Sequence, residues 1–116
     1  MDETAHRIER IVLLNAWEDY GFLWQILNEV RASMPSESEA SVLRAARTAV
    51  LSLLNRELVD VHRQDSRHHP IARLDDAAGI AAINTDAYWY GDPHDTVEIA
   101  VATTPKGNAA YEKQEA

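Results

Sequence analysis

The chain has 116 residues, 46% of them hydrophobic, no cysteine, and a formal net charge of -8. That length suits a single domain, residues 1–116, built on one core, and the missing cysteine excludes a disulfide framework, a thiolate metal site and a thiol nucleophile. Arg10, Glu18, Asp19, Gln25 and Glu29 break up the longest apolar stretch, Ile8 to Val30, so no bilayer span is expected, and the acidic start MDETAHRIER lacks the pattern of a secretion signal; both point to a soluble cytoplasmic protein.

The first 33 residues read as two helices. Thr4 is a candidate N-cap, Ile8, Ile11, Val12 and Leu14 follow at helical spacing, and Trp17 closes the stripe. EDYG, Glu18 to Gly21, is the expected turn. Leu23, Ile26, Leu27 and Val30 mark a second amphipathic helix that stops near Met34-Pro35, because the residue before proline is pushed out of the helical region.

A third helix is the clearest element. Ser36 or Ser38 caps it, Glu37 and Glu39 suit its positive end, and Val42, Leu43, Ala46, Ala49, Val50, Leu53 and Leu54 make a broad apolar face. The opposite face carries Arg44, Thr48, Ser52 and Asn55, flanked by Arg47 and Arg56, and is expected to point outward. After Leu58 the period changes to two: LVDVHR reads as a strand, and Val97, Ile99 and Val101 supply its partner.

The segment from Gln64 to Thr96 is too long for a structureless loop. LDDAAGIAAI, Leu74 to Ile83, gives a short helix opened by Asp75 or Asp76, and YWYGDPHD, Tyr88 to Asp95, reads as an aromatic lid with a turn on Gly91 and Pro93. At the end Thr104 caps a last helix with Pro105 in its first position.

Charge is unevenly spread. Residues 1–40 carry net -5, residues 41–74 net +3 and residues 75–116 net -6, so a basic middle sits in an acidic chain. Helix, turn, helix, loop, long helix, strand, excursion, strand, helix is an order that resembles the winged helix-turn-helix regulators, the PadR-like and MarR-like families. The resemblance is carried by RIVLLNAWEDYGFLWQILNEV (Arg10 to Val30), VLRAARTAVLSLLNRELVDVHR (Val42 to Arg63) and VEIAVATTPKG (Val97 to Gly107), the last with a Thr-x-x-Gly exit. Glu57 stands where those families usually place a glycine, and the excursion is longer than an ordinary wing. The implied fold is a mainly helical α+β, winged-helix-like domain with a two-stranded antiparallel wing and a helical insertion between the wing strands.

The resemblance implies a small transcriptional regulator that binds double-stranded DNA. Its third helix would enter the major groove with Arg44, Arg47, Thr48 and Ser52, while Arg56, Arg63, Arg67, Arg73 and Lys106 line the phosphate track. The competing reading is a winged-helix-like protein-interaction module that does not bind DNA: the arginines then pair with nearby acids, as the net charge and Glu37 and Glu39 favour. A continuous positive strip separates the first reading from scattered, acid-paired arginines in the second.

His62, Asp65, His68, His69 and His94 have the side chains zinc uses, but HRQDSRHH follows no metal-ligand spacing, and no metal or cofactor is expected. No phosphate-cradling loop, nucleophile elbow or zinc-protease motif is present, so an enzyme is not expected either. Ile8, Ile11, Val12 and Trp17 load the first helix with apolar surface, and related regulators pair through terminal helices; a homodimer is the corresponding expectation.

Overall fold

Residues 3–66, 69–90 and 97–115 are described by the structure, a computed structural model. In chain order they form α1 (Glu3–Glu18), β1 (Gly21–Phe22), α2 (Leu23–Ser33), α3 (Glu39–Asn55), β2 (Val59–Gln64), β3 (Ala72–Arg73), α4 (Asp76–Ile83), a 3-10 turn (Asp86–Trp89), β4 (Glu98–Thr103) and α5 (Pro105–Glu115). The sheet is antiparallel throughout, in the order β1-β4-β2-β3. This is the expected mainly helical α+β arrangement, with β2 and β4, the strands expected to form a wing, paired antiparallel and α4 with the 3-10 turn inserted between them; the expected two-stranded ribbon is instead the middle of a four-stranded sheet, because β1 and β3 add to its edges.

Alternation fixes the wing. Val59 faces Thr103 and Val61 faces Val101 across the β2–β4 ladder, and Val59, Val61, Ile99 and Val101 are all buried. A slip of one residue would turn these side chains to the opposite face, so burial pins the register. β1 lies on the other side of β4, with Gly21 opposite Val101 and Phe22 opposite Ala100. Two residues of strand inside EDYGF have no readable alternation, which is why the sequence shows only a turn there.

The helices bury one continuous cluster against this sheet, but α1 does so with a different stripe from the expected one. Ile8, Val12, Leu13 and Ala16 face the core, whereas Leu14 and Trp17 stay exposed. Leu13 and Leu14 are adjacent, so either choice satisfies helical spacing locally; continuing from Ile8 and Val12 to Ala16 selects Leu13. Thr4 lies within the first turn of α1, one residue past its start, and so is not the cap. Ser38 and Asp75 are the caps of α3 and α4, each accepting from the backbone N–H three residues on.

The wing closes at its base through one junction. α3 ends in a left-handed residue, Glu57 with φ 62°, after which the Leu58 N–H donates to Leu53 O and the Glu57 N–H to Leu54 O, both at 3.0 Å. That is the Schellman ending, and Leu53 and Leu58, the apolar residues that flank it, are both buried in the core cluster. Thr104 then ties the far end of the wing to this turn: its N–H donates to Leu58 O (3.1 Å), its hydroxyl donates to Glu57 O (2.7 Å), and the same oxygen accepts the Gly107 N–H (3.0 Å), capping α5. Gly107 is required for close approach, since a Cβ there would lie 1.9 Å from Leu58 O.

Two opposite effects on stability follow. Glu57→Gly relieves a left-handed residue and is expected to raise stability by about 0.5–1 kcal/mol, part of the gain being offset by a freer unfolded chain. Gly107→Ala pushes a methyl group into a backbone carbonyl and is expected to lower it by about 2–3 kcal/mol. Urea unfolding of the two variants beside the parent chain checks both signs.

Candidate interaction face of the third helix and wing

α3 is held from both sides, so little of it meets solvent. Its exposed residues are Glu39, Ala40, Arg44, Thr48 and Asn55. Arg44 and Thr48 stand on the rim of an open groove of about 280 Å³ between α1 and α3, lined also by Thr4, Ile8 and Ala49. At the helix start, Glu39 forms an ion pair with Arg31 of α2 at 2.6 Å, and that guanidinium holds the Glu39 carboxyl below its ordinary value.

Arg47 does not point outward as expected. Its side chain is only 22% exposed, its Nε donates to Ile83 O at the end of α4 (3.0 Å), and its Nη2 pairs with Asp86 in the 3-10 turn. Arg56 turns the other way, pairing with Glu9 of α1 and donating to the Ser52 hydroxyl at 3.3 Å. Ser52 is half-buried and thereby belongs to this internal contact. The physical reason is the same for both arginines: α4 and α1 each bring a carboxylate within reach of the helix flank, and Glu9, 8% exposed, needs a counter-charge.

On the wing the cations are paired as well. Arg63 meets Asp65 at 2.6 Å, which raises the arginine's pKa further, and Arg73 meets Asp60 at 3.3 Å and Asp76 at 3.8 Å. Lys106 is exposed beside a cleft of about 450 Å³ whose walls include Glu57, Asp60 and Asp76. Arg67 lies outside the described residues. The structure thus brings Arg44 and Thr48 together on α3, and among the described residues no unbroken positive strip runs from them to the wing. Among the described residues, Arg44 and Lys106 alone of the expected contact cations have no carboxylate partner.

The insertion explains this arrangement. Trp89, expected in an aromatic lid, is fully buried in the core, and its indole N–H donates to Ile83 O at 2.8 Å. That one carbonyl at the end of α4 therefore accepts from both Trp89 and Arg47. Tyr90 is exposed, Tyr88 packs against the core, and the Gly91–Pro93 turn lies outside the described residues. Glu9 and Asp86, the carboxylates that take Arg56 and Arg47, were not singled out in the sequence: they lie 47 and 39 residues from their partners, and no local pattern links such distant positions.

His62 sits half-buried on β2 with its ring edge-on to Tyr20, centroids 5.2 Å apart. Burial holds its imidazole below the ordinary value of 6.5, Arg73 pushes the same way, and Asp60 opposes them. His68 and His94 lie outside the described residues, and among the described residues no three His, Asp or Glu side chains are grouped to hold a metal ion. No helix of the described residues is long and apolar enough to cross a membrane. Comparison of the chain with known protein families, curated proteins and solved structures finds no match.

Two outcomes test the geometry. Arg47→Ala removes a donor from a buried carbonyl and is expected to destabilise the fold by about 1–3 kcal/mol, whereas Arg44→Ala should stay within about 0.5 kcal/mol of the parent in urea unfolding. For His62, the unfolded chain takes up a proton before the folded one does, so stability present above about pH 6.5 declines as pH falls below it. His62→Gln should flatten that part of a plot of urea midpoint between about pH 7.5 and 5.5.

Proposed function

We propose that this chain is a winged-helix-like module that works in the cytoplasm through protein contacts on its α3 and wing side, without reading DNA sequence. The observation that carries this reading is that Arg47 and Arg56, the arginines flanking α3, are held by Asp86 and Glu9 of the same chain. A phosphate backbone is held by cations free to replace its counterions, and long-range repulsion from a chain of net charge -8 works against its approach. The insertion reinforces the reading: it occupies the flank of α3 that would settle toward a groove wall, and it presents Ile80 and Tyr90, both 44% exposed, to a partner. Its partners under this reading are proteins, a second copy of the chain among them.

A second reading rests on a specific observation too. Arg44 and Thr48 share the exposed strip of α3, and Lys106 is exposed at the start of α5, so a small regulator could still contact duplex DNA through these three residues. A titration of fluorescent genomic duplex fragments at about 20 mM salt decides between the two. The protein-contact reading expects a flat curve to tens of micromolar. Saturable binding that weakens steeply with salt and is lost in Arg44→Ala would overturn it in favour of the regulator.

A further inference from the structure

The open groove between α1 and α3 combines an apolar floor with one unpaired cation. On the α3 side it is lined by Ser41, Arg44, Ala45, Thr48 and Ala49, whose three- and four-residue steps place them on a single helix face. That face rises about 12 Å from Ser41 to Ala49, a little over two turns. On the α1 side Ile8 and Ala49 meet as buried floor, with Ala45 half-buried beside them. Glu9 also lies in the wall, but its carboxylate is already held by Arg56. Arg44 stands exposed at the rim and has no carboxylate partner among the described residues.

Size and charge together select an occupant. A cavity of about 150 Å³ accepts a benzene-sized group, so the groove, at about 280 Å³, has room for two large apolar side chains. Side chains three or four residues apart on a helix are about 6 Å from one another, which the length of the groove accommodates. A free small molecule is ordinarily held in a deeper pocket that covers most of its surface, which an open groove does not do. The net charge of -8 repels an acidic partner at long range, whereas Arg44 locally favours a single carboxylate.

We infer that this groove receives a helical segment of a partner protein. Two large apolar side chains, three or four residues apart, rest against Ile8, Ala45 and Ala49, and one acidic residue beside them pairs with Arg44. The rest of the segment is neutral or basic. An amphipathic helix laid into an apolar groove is a recurring mode of recognition, and the Ser41 and Thr48 hydroxyl groups supply part of its polar rim. The inference rests on the protein-contact reading above and names what this side of α3 takes from the partner. With only two anchors the contact is small, and an isolated peptide belongs in the micromolar range.

Selection of phage-displayed random dodecapeptides against the full chain tests this. Enriched sequences are expected to carry two large apolar residues three or four positions apart with one Asp or Glu next to them. The corresponding synthetic peptide should shift the backbone amide resonances of Ala45, Thr48 and Ala49 at tens of micromolar. Arg44→Glu, at an exposed position, should weaken the peptide at least about tenfold, and exchanging the peptide's acid for Lys should restore binding to that variant. Ala45→Phe fills the groove from within and should abolish binding, with a urea midpoint near the parent's showing an intact fold. Enriched peptides that ignore both variants and are lost instead in Ile80→Asp or Tyr90→Ser overturn the inference while leaving the protein-contact reading in place. Failure to enrich any such peptide also overturns it, and that reading falls with it if duplex DNA then binds through Arg44. Shifts of the same amides on concentrating the chain alone, or stronger shifts with sodium octanoate than with the peptide, overturn it in favour of a second copy or a small amphiphile.

Discussion

The carbonyl groups of Glu57 and Leu58 are the point on which the rest of the fold hangs. They leave α3 through a left-handed residue and are received by the hydroxyl and N–H of Thr104, forty-seven residues away from Glu57. A wing strand that starts at Val59 and one that ends at Thr103 are thereby brought level, and the ladder from Val59–Thr103 to Gln64–Glu98 follows without a bulge. The same hydroxyl oxygen caps α5, so the last helix is launched from the junction that closes the wing. Glutamate tolerates the left-handed angle there at a penalty of about 1 kcal/mol, because the hydrogen bonds of the turn and the burial of Leu58 depend on it.

What distinguishes this domain from a bare wing on three helices is how the insertion is anchored. The last carbonyl groups of any helix lack intrahelical partners, and α4 gives its final one, Ile83 O, to two donors from different elements. Trp89 brings a fully buried indole to it, and Arg47 brings a charged group from the flank of α3. Each link sits on the far side of a long sequence gap, yet together they make α3, α4 and the 3-10 turn one packed unit. The α3 flank that a DNA reader leaves open is, in this chain, an internal contact.

Most of the architecture was legible because it rests on periodicity and on breakers. Pro35, Gly21 and the change of period after Leu58 delimit the helices and strands in sequence, and the inward valines of the wing follow from alternation alone. Glu57 could even be marked as an odd occupant of a glycine position, and its positive φ is the physical content of that oddity. The stripe of α1 was harder, since Leu13 and Leu14 serve equally until tertiary contacts choose. β1 and β3, two residues each, fall below any readable period. The candidate site was the least legible part: Arg44, Arg47, Ser52 and Arg56 share one helix and one apparent face, and only the positions of Glu9 and Asp86 in space divide them.

Magnitudes decide how firmly that division holds. Arg63 and Arg73 pair with acids at exposed positions, where an ion pair is worth at most about 1 kcal/mol, and such arginines change partners easily. Arg56 is different. Its carboxylate partner, Glu9, is buried, and removing the counter-charge from a buried ion leaves a penalty of several kcal/mol. Arg47 is tied in a second way, through a carbonyl that its departure would leave with one donor fewer in a dry place. An incoming phosphate could therefore draw on the wing arginines at small expense but would have to break the packing of α1 or of the insertion to recruit those of α3. Arg47 and Arg56 are thus fixed parts of the fold, and an external partner is left with Arg44, Thr48 and the loosely paired arginines of the wing.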